Sequence, residues 1–139
     1  MTKEDIISKV KALNLPKNSY IVFGSCPMAA AGIREANDIN LLVSTEVYKS
    51  LENNGWQKIY KGPNDSPVIH GVFEAHDNWD FSAYNLNLTL EDLLTNATEV
   101  NDIPFASIEN VRKWKVASGR DKDIADIKLI DLYLEKQKL

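Results

Sequence analysis

Residues 20–44 read YIVFGSCPMAAAGIREANDINLLVS, and the order of its parts decides the fold. Tyr20-Ile21-Val22-Phe23 is a short apolar run of β-branched and aromatic residues, the length of a buried strand. It stops at Gly24-Ser25, a small pair that lets another group come close to the backbone. Pro27 suits the first turn of a helix, where its missing N–H would have had no partner. Met28 to Ala31 favour that helix and Gly32 can close it. Asp38-Ile39-Asn40 then leads into Leu41-Leu42-Val43, a second buried strand. Alternate residues of a strand share a face, so Asp38 and Asn40 are expected to point the same way while Ile39 enters the core. Two oxygen-bearing side chains opposite a Gly-Ser turn suggest a place for a cation and a phosphate.

Outward from this stretch, the chain reads as an alternation of helices and strands. Thr2 caps an amphipathic helix carrying Ile6, Ile7, Val10 and Leu13, which ends by Pro16. Ser44 or Thr45 opens a helix that runs to Asn53 and stops at Asn54-Gly55. Residues 56–61 (WQKIYK) are expected as a strand, 62–67 as a loop, 68–75 as a strand and 79–84 as its hairpin partner. Thr89 caps a short helix with Leu90, Leu93 and Leu94 on its apolar face. Residues 98–105 are loosely strand-like around Pro104. A helix from Ser107 to Gly119 carries Ile108, Val111, Trp114, Lys115 and Ala117 on one face. A last helix, 121–136, offers Ile124, Ile127, Ile130, Leu132 and Leu134 for burial. No repeat, low-complexity tract or linker divides the chain, so its 139 residues are expected to form one domain. The fold class is α/β (α+β): a mixed sheet flanked by helices, with a helical pair at the C-terminal end.

Composition narrows the function. Hydrophobic residues make up 44% and charged residues 26%, ordinary globular values. No apolar run approaches the ~20 residues that span a bilayer, and the first residues lack a signal peptide's apolar core. The single cysteine, Cys26, leaves no internal disulfide and fits a reducing cytoplasm; it is expected to pack rather than react. The net charge of −4 argues against a grip on a long polynucleotide, which draws most of its affinity from basic side chains. A small molecule, a nucleotide or a protein partner fits better. His70 and His76 have no cysteine partners or helical spacing that would mark zinc, and neither is marked as a general base.

An apolar strand, Gly24-Ser25, a small-residue helix, Gly32-Ile33-Arg34 and Asp38-Ile39-Asn40 leading an apolar strand together resemble the nucleotidyltransferase superfamily, the polymerase-beta-like fold. That signature is a Gly-Ser or Gly-Gly turn followed, after a short helix, by Asp-x-Asp or Asp-x-Glu. The C-terminal part resembles it independently. IPFASIE at 103–109, followed by KWKVASGRDKDIADI at 113–127, is similar to the minimal prokaryotic nucleotidyltransferases related to abortive-infection toxins, with Lys115, Arg120, Lys122, Asp123 and Asp126 filling their helical basic-acidic segment.

The resemblance implies Mg²⁺-dependent (or Mn²⁺-dependent) transfer of a nucleoside monophosphate from an NTP to a hydroxyl of a small molecule, a tRNA or a protein. Two divalent ions ~4 Å apart clamp the attacking and leaving oxygens of such a displacement, and hard ions take carboxylate oxygen. By this reading Asp38, Asn40 and Asp80 hold metal, with Asp38 and Asp80 catalytic. Gly24, Ser25, Arg34, Lys115 and Arg120 hold the triphosphate, while Asp123 and Asp126 brace the last helix. Asp80 stands out as an acid between Trp79 and Phe81, expensive in a strand unless exposed or bound; Asp65 and Asp77 read as turn formers. Asn40 departs from the family pattern, since an amide brings no charge. Three arrangements stay open: a one-metal or slow enzyme, a site completed by Glu35 or Glu74, or a non-catalytic nucleotide-binding or toxin–antitoxin-type interaction protein.

Overall fold

The computed structural model describes residues 1–78 and 89–139. Tyr20–Phe23 forms β1, and every one of its four residues is buried. This explains the unbroken apolar run: both faces of the strand are covered, so neither can be polar. Ile39–Val43 forms β2 and lies antiparallel to β1. Between them, Cys26–Ala30 makes the short helix α2 with Pro27 in its first turn.

The remaining elements build outward from this pair. Helix α1 (Lys3–Leu13) carries a complete capping box between Thr2 and Asp5, and helix α3 (Thr45–Asn53) is capped by Ser44. Strands β3 (Gln57–Lys58), β4 (Val68–His70) and β5 (Phe73–His76) follow, then α4 (Leu90–Thr95), β6 (Thr98–Val100), β7 (Ile103–Phe105), α5 (Ile108–Ser118) and α6 (Asp121–Gln137). The seven described strands form one mixed sheet in the order β3-β4-β5-β2-β1-β7-β6. β5 runs parallel to β2 on one side, and β7 parallel to β1 on the other. The chain is therefore a mixed α/β protein, as the sequence pattern implies.

The sheet has a core on each face. One gathers Val22, Ile39, Leu41 and Ala75 under α1 and α3. The other gathers Ile21, Phe23 and Leu42 under α4, α5 and α6, with Trp114 set edge-on against Phe23 at 6.1 Å between ring centres. Asn40, Glu74 and His76 fall on this second face, because cross-strand partners share a side: Phe23 pairs with Asn40, Asn40 with Glu74, and Leu42 with His76. A polar strip thus continues an apolar face at the end of the sheet.

Four expectations are corrected. The strand at 56–61 is only two residues long, although Ile59 N–H still reaches the Pro67 carbonyl at 2.9 Å before the chain turns at 62–65. The run 68–75 is not one strand but the hairpin β4–β5, turned at Gly71-Val72 with Gly71 at φ +58°. The segment 98–105 is likewise the hairpin β6–β7, turned by Asn101 and Asp102, both at positive φ as a tight primed turn demands. In α6 the inward face is mixed: Ile130 and Leu134 meet the core as expected, but two acids lie beside them. Asp123, Asp126 and Ile130 are buried, whereas Ile124 and Leu132 are 47% and 56% exposed. The strand expected at 79–84 lies outside the described residues.

Candidate functional site

Gly24 and Asn40 form the floor of the site. Gly24 has φ +70°, and a Cβ there would sit 2.6 Å from Asn40 Nδ2. Only glycine lets the chain turn left-handed at this point and lets the residue-40 amide lie across it. Ser25 does not cap α2; its hydroxyl instead accepts a hydrogen bond from Arg34 Nη2 at 2.7 Å. Accepting through its oxygen leaves its O–H able to donate to a ligand in the cleft that it lines. Cys26 is fully buried and donates to the Asp38 carbonyl at 3.2 Å; burial, then the Asp38 charge, pushes its thiol up to about 12. It packs, and is inert as a nucleophile.

The C-terminal helical pair supplies a wall of cations held by acids. Asp126 takes a two-pronged grip from Arg34, Nε to Oδ1 and Nη2 to Oδ2, each 2.8 Å. Its Oδ2 also accepts from Lys115 Nζ at 2.9 Å. Lys115, 2% exposed, stands 3.7 Å from Asp123, which in turn binds Arg120 through Nε at 2.7 Å and Nη2 at 3.1 Å. Burial raises the Asp126 carboxyl, but the Arg34 and Lys115 hydrogen bonds outweigh it and hold the group below its ordinary range. Asp123 follows the same balance, with Arg120 and Ser118 as its donors. Asp126 raises the Arg34 guanidinium in return. Three cations on two buried carboxylates leave this wall one positive charge in excess.

The opposite wall comes from the sheet and the loop after β3. Asp38 is exposed just ahead of β2, and Asn40 is half-buried. Glu74 stands beside Asn40 across the β2–β5 register. It is paired with Lys61, whose turn is tied by Lys61 N–H to the Asp65 carbonyl at 2.8 Å and Asp65 N–H to the Gly62 carbonyl at 3.0 Å. His76, two residues along β5, lies 3.6 Å from Asp65 and 3.9 Å from Glu74. The nearby imidazole pulls the Glu74 carboxyl down most strongly; against burial and with Lys61 added, Glu74 falls to about 2.

These walls enclose a cleft of about 610 Å³, with Trp114 and Lys122 also on its lining. Of the residues expected from sequence, Gly24, Ser25, Arg34, Asp38, Asn40, Lys115 and Arg120 all line it. Asp80 lies outside the described residues. Glu74 lines the cleft, whereas Glu35 faces the chain's terminal amino group at 3.8 Å. In the sequence Lys61 is not singled out, Asp65 reads as a turn former and His76 as neither a zinc ligand nor a general base. A strand alternation of Glu74 and His76 with a Lys61-to-Asp65 turn of opposite charge was the available signal.

Among the described residues, no three His, Cys, Asp or Glu side chains converge to hold a metal ion. Asp38 brings one carboxylate and Asn40 one amide oxygen, while Glu74 is already matched by Lys61. Among the described residues that donor set fits one hard divalent ion completed by water and phosphate oxygens rather than two. Oxygen donors facing a cationic wall suit a polyanion that brings a divalent ion with it.

No family model matches the chain, and neither a curated protein nor a solved structure does. Among the described residues no helix is long and apolar enough to cross a membrane.

Proposed function

We propose that this chain is a minimal nucleotidyltransferase-like protein, which moves a nucleoside monophosphate from an NTP to a hydroxyl acceptor with Mg²⁺ or Mn²⁺. One observation carries the reading. The Gly24-Ser25 turn, the Asp38/Asn40 strand start and the Lys115/Arg120 segment, far apart in sequence, meet in one cleft of nucleotide size.

In this reading the Ser25 hydroxyl and the Arg34, Lys115 and Arg120 wall bind and orient the triphosphate. Asp38 and Asn40 hold the single divalent ion, which neutralises charge on the phosphates. The acceptor oxygen bonds to the α-phosphorus and the bond to the bridging oxygen breaks. Pyrophosphate leaves, and the hydroxyl proton passes to water in the cleft. Positioning and charge do most of the work in such a displacement.

A second reading has its own support. With Asn40 neutral and Glu74 matched to Lys61, the same cleft suits a non-catalytic nucleotide-binding or toxin–antitoxin-type interaction protein. Labelled NTPs with Mg²⁺ or Mn²⁺, alongside calorimetric titration, separate the two. Binding with label transfer that Asp38→Ala abolishes supports the enzyme. Binding without transfer, with transfer appearing in Asn40→Asp, supports the non-catalytic protein. Absence of binding by any NTP removes both nucleotide readings.

A further inference from the structure

We propose that Lys61 is a tethered stand-in for a second divalent cation, so that the cleft takes a nucleoside triphosphate with one divalent ion rather than two. The inference rests on the nucleotide reading above and concerns how that same site balances charge.

The β2–β5 register sets residues 40 and 74 side by side on the cleft face, at the ~4.8 Å spacing of neighbouring strands. A divalent ion between them would need charge from both. Residue 40 gives none, and the Glu74 carboxylate is paired with one ammonium, Lys61. That ammonium is delivered, not incidental. The 61–65 turn is closed by two backbone hydrogen bonds, and its Asp65 lies 3.6 Å from His76 with the buried Oδ1 making no hydrogen bond among the described residues. The Lys61–Glu74 pair and the turn's own backbone hydrogen bonds hold it over the cleft face of the sheet.

A lysine ammonium has three donors. One N–H on Glu74 leaves two for phosphate oxygens, and Lys61 lines the cleft with its side chain 43% exposed. A second dication at that place would be repelled by the ammonium it had to displace. Asp38, by contrast, is exposed. One dication at Asp38 and one fixed ammonium at Glu74 therefore divide the task that two dications perform elsewhere.

The test counts metal, not turnover. Bound Mn²⁺ per bound α,β-methylene NTP is measured by electron paramagnetic resonance in the wild type, Lys61→Arg and the double variant Lys61→Met/Asn40→Asp, and metal-free NTP binding in the wild type and Lys61→Met, each confirmed folded by its melting curve. One Mn²⁺ per nucleotide is expected in the wild type and in Lys61→Arg, and two in the double variant. Metal-free NTP binding is expected to weaken tenfold or more in Lys61→Met. Two Mn²⁺ in the wild type, one in the double variant, or unchanged metal-free binding in Lys61→Met would each overturn the inference while leaving the nucleotide reading intact. A folded wild type that binds no NTP overturns that reading and this inference together.

Discussion

The two walls of the cleft carry similar residues in opposite conditions. On the helical side, Asp123 and Asp126 are buried and every carboxylate oxygen of Asp126 is answered by Arg34 or Lys115. On the sheet side, Asp38 stands exposed at the start of β2. The carboxylates of the first wall hold α5, α6 and the loop after α2 together. In the second, the Asp38 carboxylate is left for a ligand. An acid removed from one wall should unfold the protein, and the same acid removed from the other should hardly be felt until a ligand is added.

The largest effect is expected at Asp126. Asp126→Ala leaves the Lys115 ammonium, 2% exposed, without its closest carboxylate. Breaking a buried ion pair from one side typically costs ~3–5 kcal/mol, because the surviving charge stays desolvated. Urea unfolding should show that loss. The double change Lys115→Met/Asp126→Leu should recover most of it, and a single variant as stable as the wild type would show that the wall does not brace the fold.

Next comes Gly24→Ala. The added Cβ meets Asn40 Nδ2 at 2.6 Å, in a backbone conformation with φ +70° that side chains rarely adopt. Steric strain and the left-handed backbone together give about 2–3 kcal/mol. Asn40→Ala in the same background should remove the 2.6 Å contact but leave the residue-40 Cβ at 3.1 Å and the backbone strain, so thermal melting should recover only in part. Full recovery would mean that the backbone conformation is not the constraint.

The first of these effects could not be foreseen from local spacing, and the reason is physical. Aliphatic residues in α6 pointed to an apolar inward face, yet the helix turns its acids inward because Arg34, 92 residues from Asp126, waits there with Lys115. A pairing over that separation leaves no mark on helical periodicity. By contrast, β1 was legible because burial on both faces forces a fully apolar run. The hairpin at β4–β5 was not, since the apolar pattern carries through Gly71 and hides the turn. Asp65 read as a turn residue and is one; its second part, facing His76, depends on the β5 register. The residues of the Gly24-Ser25 turn and the Asp38/Asn40 pair were legible because one short segment holds them all.

A smaller effect is expected from acid. Glu74 is held at about 2, against 4.5 for a free glutamate, by His76 and Lys61. A carboxyl depressed in the folded state binds protons more readily when unfolded, so its contribution is complete above pH ~4.5 and fades as pH falls towards 2. Lys61 is 43% exposed, so screening limits the pair to ~1 kcal/mol or less. Glu74→Gln should flatten this part of the stability–pH curve between 4.5 and 2. An unaltered acid limb would show that the turn at 61–65 is not clamped through Glu74.

The smallest effect on stability, and the one that completes the contrast, is expected at Asp38. Its side chain is exposed and no hydrogen bond or ion pair of its carboxylate is seen among the described residues; the Cys26 thiol contacts only its carbonyl. Surface substitutions of this kind stay within ~0.5 kcal/mol. Asp38→Asn should therefore melt with the wild type in the absence of ligand. Ligand stabilisation grows with occupancy of the folded state alone, so addition of Mn²⁺ and a non-hydrolysable NTP should raise the melting temperature of the wild type and leave Asp38→Asn nearly unmoved. If instead the variant melts early without ligand, Asp38 belongs with Asp126 among the residues that hold the fold. The two walls would then differ in exposure but not in purpose, and the cleft would lose its free carboxylate.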